Sequence, residues 1–312
     1  MKTPIILAGV AALGAGVVIA LRRRGLSEDL EWSAVDKPGR VIDVGGYGVH
    51  VVERGEGPAM LLLHGFGGQT YSFRYQIERF AQDRRVIAVD LKGYGYSERR
   101  AGADLSRGAQ VSMLTSLLRQ LSVRSAVVVG HSMGGGIAQR FAAAHPEMVD
   151  ALVLVASAGE RAERFRRRLP AGLVRPLLPV LARVAADRLW TASWYDPTLA
   201  RDQDREEYLR PARIKGSMDG LMAMMSDSRS DAPVDYAQIM MPVLLLNGAA
   251  DRIVPLERAQ ELRGRIPQAR LVVIDKAGHL LLEERPQECN RAISDFLREA
   301  VTVPSAAVTV DT

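Results

Sequence analysis

The chain has one cysteine, Cys289, among its 312 residues. A single thiol closes no internal disulfide and builds no cysteine zinc site, so the fold must rest on a packed core. Aromatic residues are sparse at 5%, and the formal charge of +5 is not spread along the chain. Without Lys2, Arg22, Arg23 and Arg24, 37 Lys+Arg remain against 36 Asp+Glu. A near-neutral body with few rings has little with which to hold phosphates or stack bases, so nucleic acid is not an expected partner. Histidine is scarce too, with five in all, which leaves few choices for any reaction that needs an imidazole. Against these absences stand 47% hydrophobic and 25% charged residues, a balance that excludes disorder as the main state. The length suits one large α/β core or two small domains.

The longest apolar run lies near the start. Ile5–Leu21 carries no charged or polar side chain, follows Lys2 and is closed by Arg22-Arg23-Arg24. As a helix it would span about 25 Å, the short end for a membrane crossing. Residues 4–21 are therefore expected as a transmembrane anchor of a single-pass membrane protein. The positive flank on its C-terminal side places the domain that follows in the cytoplasm. The competing reading is a cleaved signal peptide with small residues near Val18-Ile19-Ala20, which the three arginines straight after it fit poorly. Residues 22–40, polar and containing Pro38-Gly39, read as a linker, and 301–312 as a flexible tail.

Beyond the linker, short apolar runs predict strands at Val41–Val44, Val49–Glu53, Ala59–Leu63, Val86–Asp90, Ser125–Gly130, Ala151–Val155, Val243–Asn247 and Leu271–Asp275. Most are apolar through their length, as in a sheet covered on both faces. Helical stretches fall between them at Ser72–Gln82, Leu105–Leu121, Met133–Ala144, Leu256–Gly264 and Pro286–Glu299. Strand and helix alternate, which predicts an α/β fold with a mainly parallel sheet of eight strands and helices on both faces. The alternation fails once, between Val155 and Val243. Residues 158–237 are therefore expected as an inserted helical cap on a core formed by 41–157 and 238–300. The cap's first part carries an arginine cluster, Arg161, Arg164 and Arg166–Arg168, ahead of a strongly apolar segment.

Gly130-His131-Ser132-Met133-Gly134 follows one predicted strand and opens a helix. That is the context of a nucleophile elbow, in which glycines permit a tight turn that lifts the serine hydroxyl above the sheet edge. A serine needs a base. His50 lies in an early strand, His64 opens a Gly-rich loop, His131 flanks the serine and His145 ends a helix. His279 remains, on the loop after the last strand and at the same sheet edge as Ser132. The imidazole needs a carboxylate to orient it. Asp251, past the strand Val243–Asn247, fits the order Ser, Asp, His better than Asp275, which would have to fold back. The loop His64-Gly65-Phe66-Gly67-Gly68 and the elbow are placed to supply two oxyanion-hole amides, those of Phe66 and Met133.

HGFGG, DLKGYGYS, GHSMGG, NGAADRIVP and AGHLLLEERP, in this order, resemble the serine-nucleophile branch of the α/β-hydrolase family. The resemblance runs from about Gly39 to Ala300 and implies the α/β-hydrolase fold, with a cap after the sixth strand. The triad Ser132, Asp251 and His279 and the amides of Phe66 and Met133 carry over by position. DLKGYGYS is expected as a structural turn. The leading expectation is a membrane-anchored esterase or lipase working through an acyl-enzyme, with a small-molecule or lipid ester as substrate and no cofactor or metal. The runner-up is a carbon–carbon bond hydrolase acting on a diketone with the same triad, and the third a noncatalytic binding module. Within the cap, Met218, Met222, Met224 and Met225 read either as an acyl pocket or as ordinary packing. His145 and Asp150 match an acyltransferase signature at what reads as a plain turn.

Overall fold

The computed structural model describes residues 28–159, 188–220 and 233–302. Eight strands form one sheet in the order β1-β2-β4-β3-β5-β6-β7-β8. They are β1 Arg40–Asp43, β2 Gly48–Arg54, β3 Ala59–Leu63, β4 Arg85–Val89, β5 Ala126–His131, β6 Val149–Val155, β7 Val243–Gly248 and β8 Arg270–Ile274. β2 pairs antiparallel with β1 and β4, and every other pairing is parallel. The long helices are α1 Arg74–Phe80, α2 Arg107–Gln120, α3 Met133–Ala144, α4 Asp202–Ala212 and α5 Leu256–Arg265, with α6 Leu281–Glu284 and α7 Pro286–Thr302 closing the chain.

Neighbouring residues of a strand point to opposite faces, and the apolar runs use this to fill two cores at once. Leu61, Val128 and Leu245 join Leu114, Leu117 and Phe141 of α2 and α3 on one face. Leu62, Val127 and Leu244 join Phe80 of α1 and Ile293 and Phe296 of α7 on the other. The expected sheet and its flanking helices are therefore present, with α3 starting and ending where the sequence places it.

Three expectations change. α7 buries Cys289, Ile293, Phe296 and Leu297, a stripe at helical spacing, and carries charged residues on its other side. No helix among the described residues is long and apolar enough to cross a membrane. This corrects the expected single-pass membrane placement with a cytoplasmic catalytic domain, because the helices that are seen spend their apolar side on the sheet. The stretch 4–21 that prompted it lies outside the described residues. α7 also continues to Thr302, two residues into the expected tail.

The linker expectation changes as well. Leu30 forms a parallel bridge to Ile214, with Leu30 N–H donating to Arg213 O at 3.1 Å and Lys215 N–H to Leu30 O at 2.9 Å. Arg213 donates to Asp29 at 2.6 and 2.9 Å, Lys215 pairs with Glu31, and Gly216 N–H and Met218 N–H donate to the Glu28 carboxylate. Residues 28–31 thus form a strap along 213–218, and Trp32 pins its far end through a 2.8 Å bond from Nε1 to Tyr96 O. Half of the expected cap, including the arginine cluster and Met222, Met224 and Met225, lies outside the described residues. Met218 is exposed.

Candidate functional site

The elbow is built from backbone geometry. β5 ends at His131, α3 begins at Met133, and Ser132 between them sits at φ 52°, a left-handed conformation for a side chain that gains nothing locally from it. It is held by Ser132 N–H donating to Val155 O at 2.9 Å. Two glycines make the turn possible. A Cβ on Gly134 would come within 2.2 Å of Leu63 O, and one on Gly130 within 2.6 Å of Gly134 O.

His279 and Asp251, the candidate base and its candidate carboxylate, lie together. His279 Nδ1 donates to Asp251 Oδ2 at 2.9 Å, and both residues are buried. Asp251 Oδ1 accepts from Ile253 N–H and Val254 N–H at 2.8 Å each, so both oxygens are occupied and the carboxylate is fixed. The loops that carry the pair are joined to each other, Ala249 N–H to Ile274 O at 2.9 Å and Ala250 N–H to Ala277 O at 3.0 Å. With Nδ1–H committed to Asp251, Nε2 of His279 is the basic nitrogen. Asp275 lies exposed, away from this arrangement.

The oxyanion candidates flank Ser132. A Cβ on Gly65 would lie 3.2 Å from Ser132 Cβ, so the loop backbone that leads into Phe66 passes against the serine. The Phe66 side chain is itself partly exposed and rests edge-on against Tyr94. Met133 occupies the first position of α3, where the helix presents N–H groups and the positive end of its dipole. This arrangement suits negative charge that develops above Ser132.

His131 is a residue whose part the sequence does not disclose. Its Nε2 donates to His279 O at 2.9 Å, and the two rings lie 4.9 Å apart. Burial pushes its pKa down to about 3, and the neighbouring His279 pushes it the same way. His131 is therefore neutral at any working pH and adds no second positive charge beside an imidazolium. The turn Asp90–Ser97 is the structural element expected. Asp90 binds His50 Nδ1 at 2.7 Å, Thr70 N–H at 2.6 Å and Tyr96 N–H at 2.7 Å. Burial would raise the Asp90 pKa, yet the hydrogen bond and charge of His50 hold it below the ordinary value. His50 and His64, fully buried, serve this turn and the neighbouring loop. His145 ends α3 beside a short turn, with Glu147 at 3.6 Å.

Two adjacent carboxylates in the run after His279 also escape a reading by pattern. Glu283 Oε2 accepts from Arg74 Nη1 at 2.5 Å, and Glu283 Oε1 from the Tyr208 hydroxyl at 2.5 Å. Asp204, on α4 with Tyr208, accepts from Tyr71 at 2.8 Å and from Arg201. Burial raises the Glu283 pKa. It would raise that of Asp204 too, but the hydrogen bonds from Arg201 and Tyr71 and the charge of Arg74 bring it to about 2. Glu284 points to the other side and binds backbone N–H groups. The only hint in the sequence is a pair of acids closing an apolar run, Leu280-Leu281-Leu282.

The model of the alpha/beta hydrolase fold family matches residues 58–286. The chain belongs to this family. A 2-hydroxymuconate semialdehyde hydrolase from Pseudomonas putida is 33% identical over 276 residues, covering 84% of this chain and 95% of the relative. Another protein of that name, from Pseudomonas sp. (strain CF600), is 31% identical over 272 residues, covering 84% and 94%. Among solved structures, a meta-cleavage product hydrolase from Pseudomonas fluorescens IP01 superposes with a TM-score of 0.68 at 25% identity, covering 84% of this chain and 98% of that one. The chain is thus a hydrolase of the serine type on the α/β-hydrolase fold.

Proposed function

We propose that the chain hydrolyses a carbon–carbon bond next to a carbonyl in a small diketone-like acid, through an acyl-enzyme on Ser132. The observation that carries the proposal is the fixed Asp251–His279 pair at the same sheet edge as Ser132, in a chain a third identical to a 2-hydroxymuconate semialdehyde hydrolase. The substrate in that name is an unbroken carbon chain with no ester, so its hydrolysis must break carbon from carbon. Ester cleavage, the leading expectation from the sequence, has less support among these relatives.

In this reading the Ser132 hydroxyl attacks the carbonyl carbon while His279 Nε2 takes its proton. Asp251 keeps Nδ1–H in place and steadies the imidazolium. The oxyanion is received by the amides of Phe66 and Met133. When the tetrahedral intermediate collapses, the carbon–carbon electron pair leaves with the departing fragment, whose own second carbonyl spreads the charge as an enolate. His279 returns the proton to that fragment. Water then attacks the acyl-enzyme with His279 as base, and Ser132 recovers its proton. In this reading the interval 158–237 between β6 and β7 serves as a cap.

The test is a comparison of kcat/KM on p-nitrophenyl esters and on an enolised diketone acid, with fluorophosphonate labelling of Ser132 in parallel. Faster turnover of the diketone, lost together with labelling in Ser132→Ala, is expected. Turnover of esters alone would replace this reading with ester hydrolysis, and an unlabelled protein would reduce it to a binding module.

A further inference from the structure

His279 is held by its side chain through Asp251, but its orientation also depends on where its backbone lies. Three hydrogen bonds fix that backbone. His279 O accepts from His131, as above. Leu280 N–H donates to Ser193 O at 3.0 Å, and Gly278 N–H donates to Glu284 Oε2 at 2.6 Å. The other oxygen of Glu284 accepts from Tyr195 N–H at 2.7 Å and Asp196 N–H at 3.1 Å. Glu284 is 6% exposed; its bond to Gly278 is made out of water, where a charged acceptor binds most strongly, and those to Tyr195 and Asp196 are partly buried. The contact is also close. A Cβ on Gly278 would lie 2.7 Å from both Ser193 O and Tyr195 N, so the two backbones touch with nothing between them.

We infer that Glu284 is a positioning residue for the base: one carboxylate ties the backbone before His279 to the cap segment Tyr195–Asp196, so that seating of the cap and alignment of His279 are a single event. This rests on the reading of His279 as the base. A cap that lifts must release Tyr195 and Asp196 from the carboxylate and Ser193 from Leu280. Both losses loosen the residues on either side of His279. Misplacement of a catalytic group by about 1 Å is enough to cost roughly a hundredfold in rate. Glu283, one residue earlier on α6, is equally buried, but its bonds run to Arg74 and Tyr208 and leave the base's loop alone.

The test is Glu284→Gln, nearly isosteric but with an N–H group where one oxygen accepted. Its kcat is expected to fall roughly ten- to hundredfold with KM within about threefold, and labelling of Ser132 by a fluorophosphonate to slow in parallel. Amide hydrogen exchange is expected to quicken at Gly278 and at Tyr195–Asp196 together, a coupled change that a local structural role would not produce. Unchanged kcat, exchange that quickens at one of the two places only, or an equal loss of kcat in Glu283→Gln would overturn the inference. If Glu284→Gln does not fold, exchange in the unaltered protein decides. Fluorophosphonate occupancy of Ser132 must then protect both places together, and protection of one alone overturns it. Ser132→Ala separates the two claims. Labelling abolished there while Glu284→Gln keeps full kcat removes the positioning role only, whereas labelling retained there removes the assignment of the site beneath it.

Discussion

Asp251 and Asp204 are both buried carboxylates that hold a part of the site in place, yet they are satisfied in different ways. Asp251 has two backbone N–H groups and one imidazole, all supplied by loops that leave adjacent parallel strands. Asp204 has Arg201, Tyr71 and Arg74, long side chains from two separate helical segments. The first arrangement is set by the sheet ladder and cannot shift without breaking it. The second is a junction of side chains, in which charge pairs with charge across a cap-to-core seam. In the proposed function the chemistry is mounted on the rigid part and the substrate-facing cap on the adjustable part, an order that lets one catalytic frame serve different substrates.

The sharpest way to break this comparison is on the sheet side. Ser132→Ala is expected to cost on the order of 10⁴ or more in kcat, and Asp251→Asn about 10⁴, with the fold intact by circular dichroism. Asp275→Asn should stay within about threefold, and a reversal of the two aspartates would undo the assignment of the acid. At the seam with α4, Arg74→Met leaves Glu283 without its cation and should lower stability to denaturant by roughly 3–5 kcal/mol. Its effect should fall on KM more than on kcat; a selective loss of kcat would mean that the two regions are not separate in function.

A smaller effect sharpens the comparison through pH. The folded-state pKa of His131, at about 3, lies below its value near 6.5 when unfolded, so its contribution is present above that unfolded value and is lost as pH falls through the window down to about 3. Stability should therefore decline by roughly 2 kcal/mol between pH 7 and pH 5 through this group, a slope that His131→Asn removes. Equal slopes in the two proteins would show that His131 is not the neutral group described. The smallest effect belongs to the strap. Asp29→Ala breaks a largely exposed pair with Arg213 and should move the melting temperature by no more than about 2 °C.

The same contrast decides what can be read without coordinates. β5, α3 and the order Ser132, Asp251, His279 are legible because apolar runs, glycines and strand ends carry them, and these are features of the chain itself. α4 is not, since Asp202–Ala212 turns buried Asp204 toward its partners and has no apolar stripe to reveal which side faces in. Glu283 and Glu284 look like surface acids for the same reason. A charged residue in a sequence says nothing of the cation or N–H groups that come from segments far along the chain. The 28–31 strap is polar too, and its main-chain bridge and charged pairs run to residues 213–218, partners far along the chain that its own sequence does not record.

That strap bears on where the chain can be cut. A fragment that begins at Asp36 keeps all eight strands, the elbow and both loops of the Asp251–His279 pair, and by the measure of its sheet it is whole. It has nevertheless lost Glu28, Asp29, Leu30 and Glu31, and with them the outer handhold of residues 213–218. Trimming back to the part that the family model matches, from residue 58, also removes β1 and β2, the antiparallel end of the sheet. For a purification tag or a fusion partner, the joint belongs before Glu28.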